Sequence, residues 1–328
     1  MTRLNGTASF IAAIGVFAFA SQAVPAQAEP KPWRHGVIEP KSDAGFVLMA
    51  FKRDFARKHG ITLEYVSLKN ETLGLRAILS GDLDSYEGGP PVVALARGAD
   101  VKEIGCPWAQ VPHLIFARNG ITSVKELDGK TMATSAPSSM PDLVGRVAVE
   151  QAGLAPAAVK LANVGSDADR YRSLIGGVVD AAVISSEYLP IVDLQKVHPI
   201  AKGSEVVPDF MRICYSATAK TLAERPDDAA RFLATEMDAY QFALANKDEV
   251  VKLTREATGQ KPDDPRAGFM FDEIVRTGVV DATLPIPAEK MRSMQATLLH
   301  LGIVPKVVDP ASFIDSRPRE MALKMVGP

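Results

Sequence analysis

The stretch Arg76-Ala77-Ile78-Leu79-Ser80-Gly81-Asp82-Leu83-Asp84 decides the reading of this chain, because it returns as Arg172-Ser173-Leu174-Ile175-Gly176-Gly177-Val178-Val179-Asp180. Arg, Gly and Asp match at one fixed offset, and three apolar positions match in character. Self-similarity of this kind marks a duplicated structural unit, so the flanks of the two copies are read together.

The flanks agree. In the first copy Arg34 to Ile38 reads as a strand, and Gly45 to Lys58 as a helix with Val47, Leu48, Phe51 and Phe55 on one face, stopped by Gly60. Thr62–Leu68, Leu83–Glu87 and Val101–Gly105 read as strands, with helices at Thr72–Ser80 and Pro90–Arg97. The second copy keeps the order. Strands fall at Thr131–Ser135, Val159–Val164 and Val179–Ser185, and helices at Met140–Ala152, Ala168–Ile175 and Glu187–Lys196. Strand and helix alternating at this spacing predict parallel βαβ units and two α/β lobes. The tail is helical, at Pro226–Ala245, Lys247–Ala257, Arg266–Thr277 and Pro287–Leu301, and is expected to return onto the first lobe. Ligands of open α/β sheets bind beyond the strand C-terminal ends, so the two lobes are expected to share a crevice.

Composition narrows the function. Lys plus Arg total 37 and Asp plus Glu 39, which excludes a basic nucleic-acid footprint and a polybasic membrane surface. Arg3, the apolar run Phe10 to Ala20 and Ala26-Gln27-Ala28 read as a signal peptide, residues 1–28, cut after Ala28. The expectation is an exported, periplasmic, monomeric protein with no membrane insertion after cleavage. The two cysteines, Cys106 and Cys214, are not in a C-x-x-C pair, and the five histidines lack metal-ligand spacing. In an oxidising compartment the cysteines form either one bridge or two buried thiols. No metal, cofactor or catalytic residue is expected: G-x-S-x-G, H-E-x-x-H, P-loop and G-x-G-x-x-G patterns are absent from the sequence.

Further segments carry a family resemblance. Ile78 to Asp84 runs into Glu87-Gly88-Gly89-Pro90 and Ala94-Leu95-Ala96-Arg97-Gly98, and Ile121-Thr122-Ser123-Val124-Lys125-Glu126-Leu127-Asp128-Gly129-Lys130 follows. Ala152-Gly153-Leu154 and Gly177 to Ala182 complete the set. With these the chain resembles periplasmic solute-binding proteins of ABC importers, in the nitrate/sulfonate/taurine and thiamine-pyrimidine-precursor group (SsuA/TauA/NMT1/THI5-like). The resemblance implies a type II two-lobed periplasmic binding protein, each lobe a mostly parallel sheet flanked by helices, joined by two hinge strands. Residues 33–117 plus 214–328 would form lobe 1 and 118–213 lobe 2, with hinge strands near His113–Arg118 and Arg212–Tyr215. Both cysteines would then lie near the crossover. The implied partners are a small-molecule ligand and an ABC permease with its ATPase.

Four loops then line the cleft, and they supply the candidate ligand-binding residues. The candidates are Glu39, Ser42, Tyr86, Glu87, Gly88, Trp108, His113, Ser138, Ser139, Glu187 and Tyr188. Ser138 and Ser139 precede a helix, where free N–H groups favour an anion, although a hydroxyl there also serves as an ordinary N-cap. Glu39, Glu87 and Glu187 suit a ligand rich in donors, or complement helix N-termini. Trp108, Tyr86 and Tyr188 offer flat walls for a heteroaromatic ligand, and His113 is either a donor or a buried core histidine. Cationic side chains near the loops are few, Lys41 with Arg118 or Arg212, which disfavours nitrate and favours a nitrogen-containing or aminosulfonate solute. The alternatives are a pyrimidine-precursor synthase of the same fold, whose cysteine cluster this sequence lacks, and a ligand-loaded partner of a membrane sensor.

Overall fold

The computed structural model describes residues 1–2, 31–38 and 41–327. The expected leader beyond Thr2, its cut after Ala28, and the candidate Glu39 lie outside the described residues. No helix among the described residues is long and apolar enough to cross a membrane.

The first copy runs β1 (Trp33–Ile38), α1 (Ala44–Val47), α2 (Met49–Lys52), α3 (Phe55–Lys58), β2 (Leu63–Leu68), α4 (Glu71–Ser80), β3 (Ser85–Gly88), α5 (Val92–Ala96) and β4 (Lys102–Trp108). The second runs β5 (His113–Arg118), β6 (Thr131–Thr134), α6 (Met140–Gln151), β7 (Lys160–Asn163), α7 (Asp167–Ile175), β8 (Ala181–Ser185), β9 (Val197–Lys202) and α8 (Gly203–Val206). The chain returns in β10 (Ile213–Ala217). It ends in α9 (Ala219–Glu224), α10 (Pro226–Ala245), α11 (Lys247–Thr258), α12 (Arg266–Thr277), α13 (Ala288–His300), α14 (Pro310–Phe313) and α15 (Arg317–Val326).

Two five-stranded sheets result, ordered β2-β1-β3-β10-β4 and β7-β6-β8-β5-β9. In each order the second strand, β1 or β6, has two parallel pairings, and one antiparallel strand lies between the third and the last. Four of five strands therefore point one way, and the strand that runs against them, β10 or β5, is the one that enters directly from the other lobe. The lobe boundary shifts accordingly. β5, His113–Arg118, was expected as a hinge ending lobe 1, but its hydrogen bonds are to β8 and β9 of the second sheet. The first crossover therefore falls at 109–112. The second precedes Ile213, whose strand pairs within the first sheet.

The repeated motif has one physical task in both lobes. Gly81 and Gly177 take left-handed backbone angles (φ 81° and 74°), which glycine adopts without steric cost. The turn then delivers the repeated aspartate. Asp84 Oδ2 accepts the Arg34 N–H at 2.8 Å while its own N–H donates to the Arg34 carbonyl at 2.9 Å. Asp180 does the same to Thr131, at 3.0 and 2.9 Å.

Three expectations change. The helix expected over Gly45–Lys58 is broken into α1, α2 and α3, with Arg53 extended so that its guanidinium lies over Phe242 and pairs with Glu249. The helix expected over Glu187–Lys196 is a short 3-10 segment, Ser186–Ile191, holding Pro190, which has no N–H to continue a helix. The tail does pack on the first sheet through Phe232, Leu233 and Tyr240 of α10. Its α13, however, also sends Met294 and Leu298 into the second-lobe core beside Val144 and Phe210.

Cys106 and Cys214 are bridged, joining neighbouring strands β4 and β10 just before the two crossovers leave them. The bridge closes a loop over 108 positions that contains the whole second lobe. Removing it with Cys106→Ala and Cys214→Ala together is expected to lower unfolding free energy by about 2–5 kcal/mol, read from urea denaturation. An unchanged midpoint would mean the bridge does not constrain the unfolded chain.

Two buried carboxyls in the first lobe set a pH dependence. Burial pushes Glu103 up to about 8, against a hydrogen bond from Ser216, and Glu236 up to about 8, against one from the Tyr215 hydroxyl. Each leaves one oxygen without a partner among the described residues. Between about pH 5 and 8 the folded chain keeps these protons while the unfolded chain releases them, so what these two carboxyls contribute to stability falls as pH rises and levels off above 8. Glu236→Gln is expected to reduce that slope by up to one proton, about 1.4 kcal/mol per pH unit. Denaturation midpoints at pH 5, 6.5 and 8 read it, and a slope equal to that of the unsubstituted chain would mean Glu236 holds no extra proton.

Candidate functional site

The loop after β1 meets the start of α7 and the loop after β8 across the two lobes. Lys41 Nζ reaches Asp167 Oδ2 at 2.9 Å, and the Ser42 N–H donates to Glu187 Oε2 at 2.9 Å. The Ser42 hydroxyl accepts from Gln260 Nε2 at 2.8 Å, and Ser186 Oγ donates to Glu273 Oε2 at 2.8 Å, so the helical tail also touches the junction. The loops after β3 and β6 meet around a cavity of about 220 Å³. Glu71, Tyr86, Pro90, Pro91, Ser138 and Leu298 are among its lining residues.

A charged core lies beneath. Arg212 pairs with Asp43, and its guanidinium sits 5.1 Å over the Trp108 ring. Burial works against the Arg212 charge, but Asp43 and Glu87 more than offset it and raise its pKa. Burial drives the Glu87 carboxyl well above its ordinary range, against the opposing pull of Arg212. Asp167 goes the other way. Burial disfavours its charge, yet Lys41, Arg170 and His113 hold it well below the usual carboxylate range. His113 is pushed down to about 3 by burial, and its Nδ1 has no partner among the described residues.

Each lobe positions one acid by the same local rule. Asn70 and Ser166 cap α4 and α7 with their side chains, which puts Glu71 and Asp167 in the first helical turn, where the helix dipole favours an acid. Glu71 Oε1 then accepts the Gly89 N–H at 3.1 Å, and Asp167 Oδ1 accepts the Ser185 N–H at 2.9 Å. The same interval in the chain separates Glu71 from Asp167 and Gly89 from Ser185. Gly88 leaves room for this approach: a Cβ there would lie 3.1 Å from Glu71 Cγ, and the glutamate side chain would have to give way. Glu71 remains solvent-accessible at the cavity mouth but is surrounded by protein over the range at which charge is felt. That enclosure raises its carboxyl, opposed by the Gly89 N–H, Arg212 and Lys41.

The expected site residues divide into groups. Ser42 and Glu187 are joined across the lobes. Tyr86 and Ser138 line the cavity, and Ser138 adopts φ 64°, a left-handed conformation that costs a non-glycine residue about 1–2 kcal/mol. Ser139 caps α6 by position only; its hydroxyl bonds Ser135 Oγ at 2.6 Å instead of its own helix. Glu87 and Gly88 are buried on β3. Tyr188 lies against Tyr171 and under the Arg266 guanidinium. Trp108, expected on a loop, ends β4 and is buried in the first-lobe core at 1% exposure. With His113 it borders a second cavity of about 340 Å³ at the crossover. Arg118 lies at the far end of β5, away from the loops, beside Gly177. Sequence reasoning missed Glu71, Asp167, Arg170 and Gln260. The first two sit just before the repeated motif, so extending the repeat upstream to its caps would have found them.

Residues 41–250 match the NMT1/THI5-like family. A protein of Brucella abortus (strain 2308), described as a binding protein, is 23% identical over 235 residues, which is 70% of this chain and 72% of its own. Among solved structures, the periplasmic aliphatic sulphonate binding protein SsuA of Escherichia coli gives a TM-score of 0.71 at 22% identity, covering 88% of this chain and 92% of that one. The alkanesulfonate-binding protein SsuA of Xanthomonas axonopodis pv. citri, bound to MOPS, gives 0.68 at 19% identity, covering 88% and 99%. The periplasmic nitrate-binding protein NrtA of Synechocystis PCC 6803 gives 0.67 at 13% identity, covering 89% and 88%. These likenesses are of fold: two mixed sheets flanked by helices, the two-lobed architecture of periplasmic binding proteins. The family match spans well over half of the sequence, and the chain belongs to the NMT1/THI5-like family.

Proposed function

We propose that this chain is an extracytoplasmic solute-binding protein. It captures a small organic solute, nitrogen-containing or of sulfonate type, between its lobes and delivers it to an ABC permease driven by an ATPase. It works as a monomer in the periplasm after loss of residues 1–28, and it performs no catalysis. The observation that carries this reading is the junction itself: polar groups from both lobes meet across a cleft beside a cavity that both lobes line. A groove of this kind, between two lobes tied by two crossovers, suits closure around a guest. Family membership supports the same reading, as do the named functions of the SsuA and NrtA proteins that share the fold.

A binding protein of this kind is stabilised by its ligand through mass action, by about 2.7 kcal/mol at a hundredfold excess over Kd. A thermal-shift screen over aliphatic sulfonates, aminosulfonates, nitrate, amines and pyrimidines is therefore expected to give a clear rise in melting temperature for one class. Glu187→Ala, which removes the carboxylate bonded to the Ser42 N–H, is expected to weaken that ligand at least tenfold, about 1.4 kcal/mol, without loss of helical circular dichroism. Unchanged calorimetric affinity would remove Glu187 from closure, and a screen with no stabilising compound would count against solute binding.

A further inference from the structure

Because the lobes repeat one fold, every contact on one side of the junction has a counterpart position on the other. On one side Lys41 crosses to Asp167 and Glu187 crosses to the Ser42 N–H. At the repeat interval, the counterparts of Asp167, Lys41, Glu187 and Ser42 are Glu71, Pro137, Pro91 and Ser138. Neither proline has a charge to send across. In place of an ionic contact this side holds the cavity of about 220 Å³, lined by Glu71, Pro91 and Ser138.

Glu71 therefore shares the helix position and loop-pinning bond of Asp167 but lacks its direct ion pairs among the described residues. The arginine beside Asp167, Arg170, has Gly74 as its counterpart. The Tyr86 ring takes up the space there, so close that a Cβ on Gly74 would lie 2.5 Å from it. Glu71 Oε1 accepts the Gly89 N–H, and Oε2 has no hydrogen-bond partner among the described residues. The nearby cations are engaged elsewhere: Lys41 and Arg170 pair with Asp167, and Arg212 with Asp43, so Glu71 has no direct ion-pair partner among the described residues. The far wall of the cavity is apolar, formed by Val93, Met140, Leu143, Met294 and Leu298.

We propose, building on the solute-binding reading, that the ligand is a small amine with an apolar body, whose ammonium stands to Glu71 as Lys41 stands to Asp167. Its body fills the cavity toward α13. An apolar cavity of about 150 Å³ accepts benzene, so this one accommodates a single six-membered ring, or a branched chain of that size, together with its amine. Charge-assisted pairing on Glu71 gives orientation, and the apolar wall gives burial.

Calorimetric titration of the full mature chain with phenethylamine tests this, alongside its neutral analogue N-acetylphenethylamine, phenylacetate and ethanesulfonate. The amine is expected to bind at least tenfold more tightly than the other three. Glu71→Gln is expected to weaken the amine at least tenfold while leaving the ligand-free melting temperature unchanged, because the Gln carbonyl still accepts the Gly89 N–H. Leu298→Trp, filling the apolar end, is expected to weaken it as well. Tighter binding of ethanesulfonate or phenylacetate, indifferent to Glu71→Gln, would overturn the amine assignment and leave solute binding standing. Amine binding that Glu71→Gln does not alter would overturn the role of Glu71. Failure of all four probes would overturn the proposed ligand class, and only failure of the wider screen as well would count against solute binding.

Discussion

Carboxylates that close open backbone groups at the strand ends hold both lobes together. A backbone N–H buried without a partner costs about 1–3 kcal/mol, and the edges of a short parallel sheet leave several such groups. Asp84 and Asp180 satisfy the N–H groups of Arg34 and Thr131 at one end of the sheets. Glu71 and Asp167 satisfy those of Gly89, just past β3, and Ser185, at the end of β8. In both pairs a helix and its flanking turn deliver the acid, so each bond fixes a loop to a helix as well as to a strand. The same bonds that complete the fold therefore aim the cleft loops, and the placing of charge at the junction follows from them.

The crossovers are constrained in a related way. The disulfide ties β4 to β10 inside the first sheet. Beyond it the two outgoing segments touch, with the Arg212 N–H on the Trp108 carbonyl at 3.1 Å and its guanidinium over the indole. Relative movement of the lobes must then be absorbed beyond these ties, in 109–112 and in the segment that precedes Arg212. Trp108 belongs to this brace. Its aromatic surface is spent on Phe46 and Arg212, which explains why a residue that reads as a ligand wall is buried in the core.

The repeat made most of this architecture legible. A strand, a helix stopped by glycine and an aspartate recurring at one offset specify a duplicated α/β unit, and the described strands and helices of both copies follow that order. What the repeat could not convey is how each copy receives a strand from the other, because β5 and β10 are apolar runs with no local mark of the sheet they join. Pairing is a long-range choice, and so the boundary fell one strand late. The lobe junction was legible where a residue sits at a strand end, as with Ser42, Ser138 and Glu187. It was illegible where the contact comes from the tail. Leu298 lies in a helix whose spacing announces only an apolar face, Gln260 lies in the loop just past α11, and nothing local tells which part of the junction either will meet.

The asymmetry between the two sides of the junction bears on how closure is driven. A ligand shifts a two-state equilibrium only by its difference in affinity for the two states. The Lys41–Asp167 and Ser42–Glu187 contacts belong to the chain, so they favour closure whether or not a guest is present. Their contribution is limited, since Lys41 keeps 40% of its side chain exposed and the pair loses part of its Coulomb energy to water. The Glu71 side has no such built-in contact. Glu71 belongs to the first lobe, Ser138 and Leu143 to the second, and one molecule touches all three only when the lobes are together. Any contact made there is gained almost wholly in the closed state. A chain that closed both sides by itself would leave its ligand little to add. Under the proposed function, one side latched by the chain and one side left to the guest would let ligand binding decide closure.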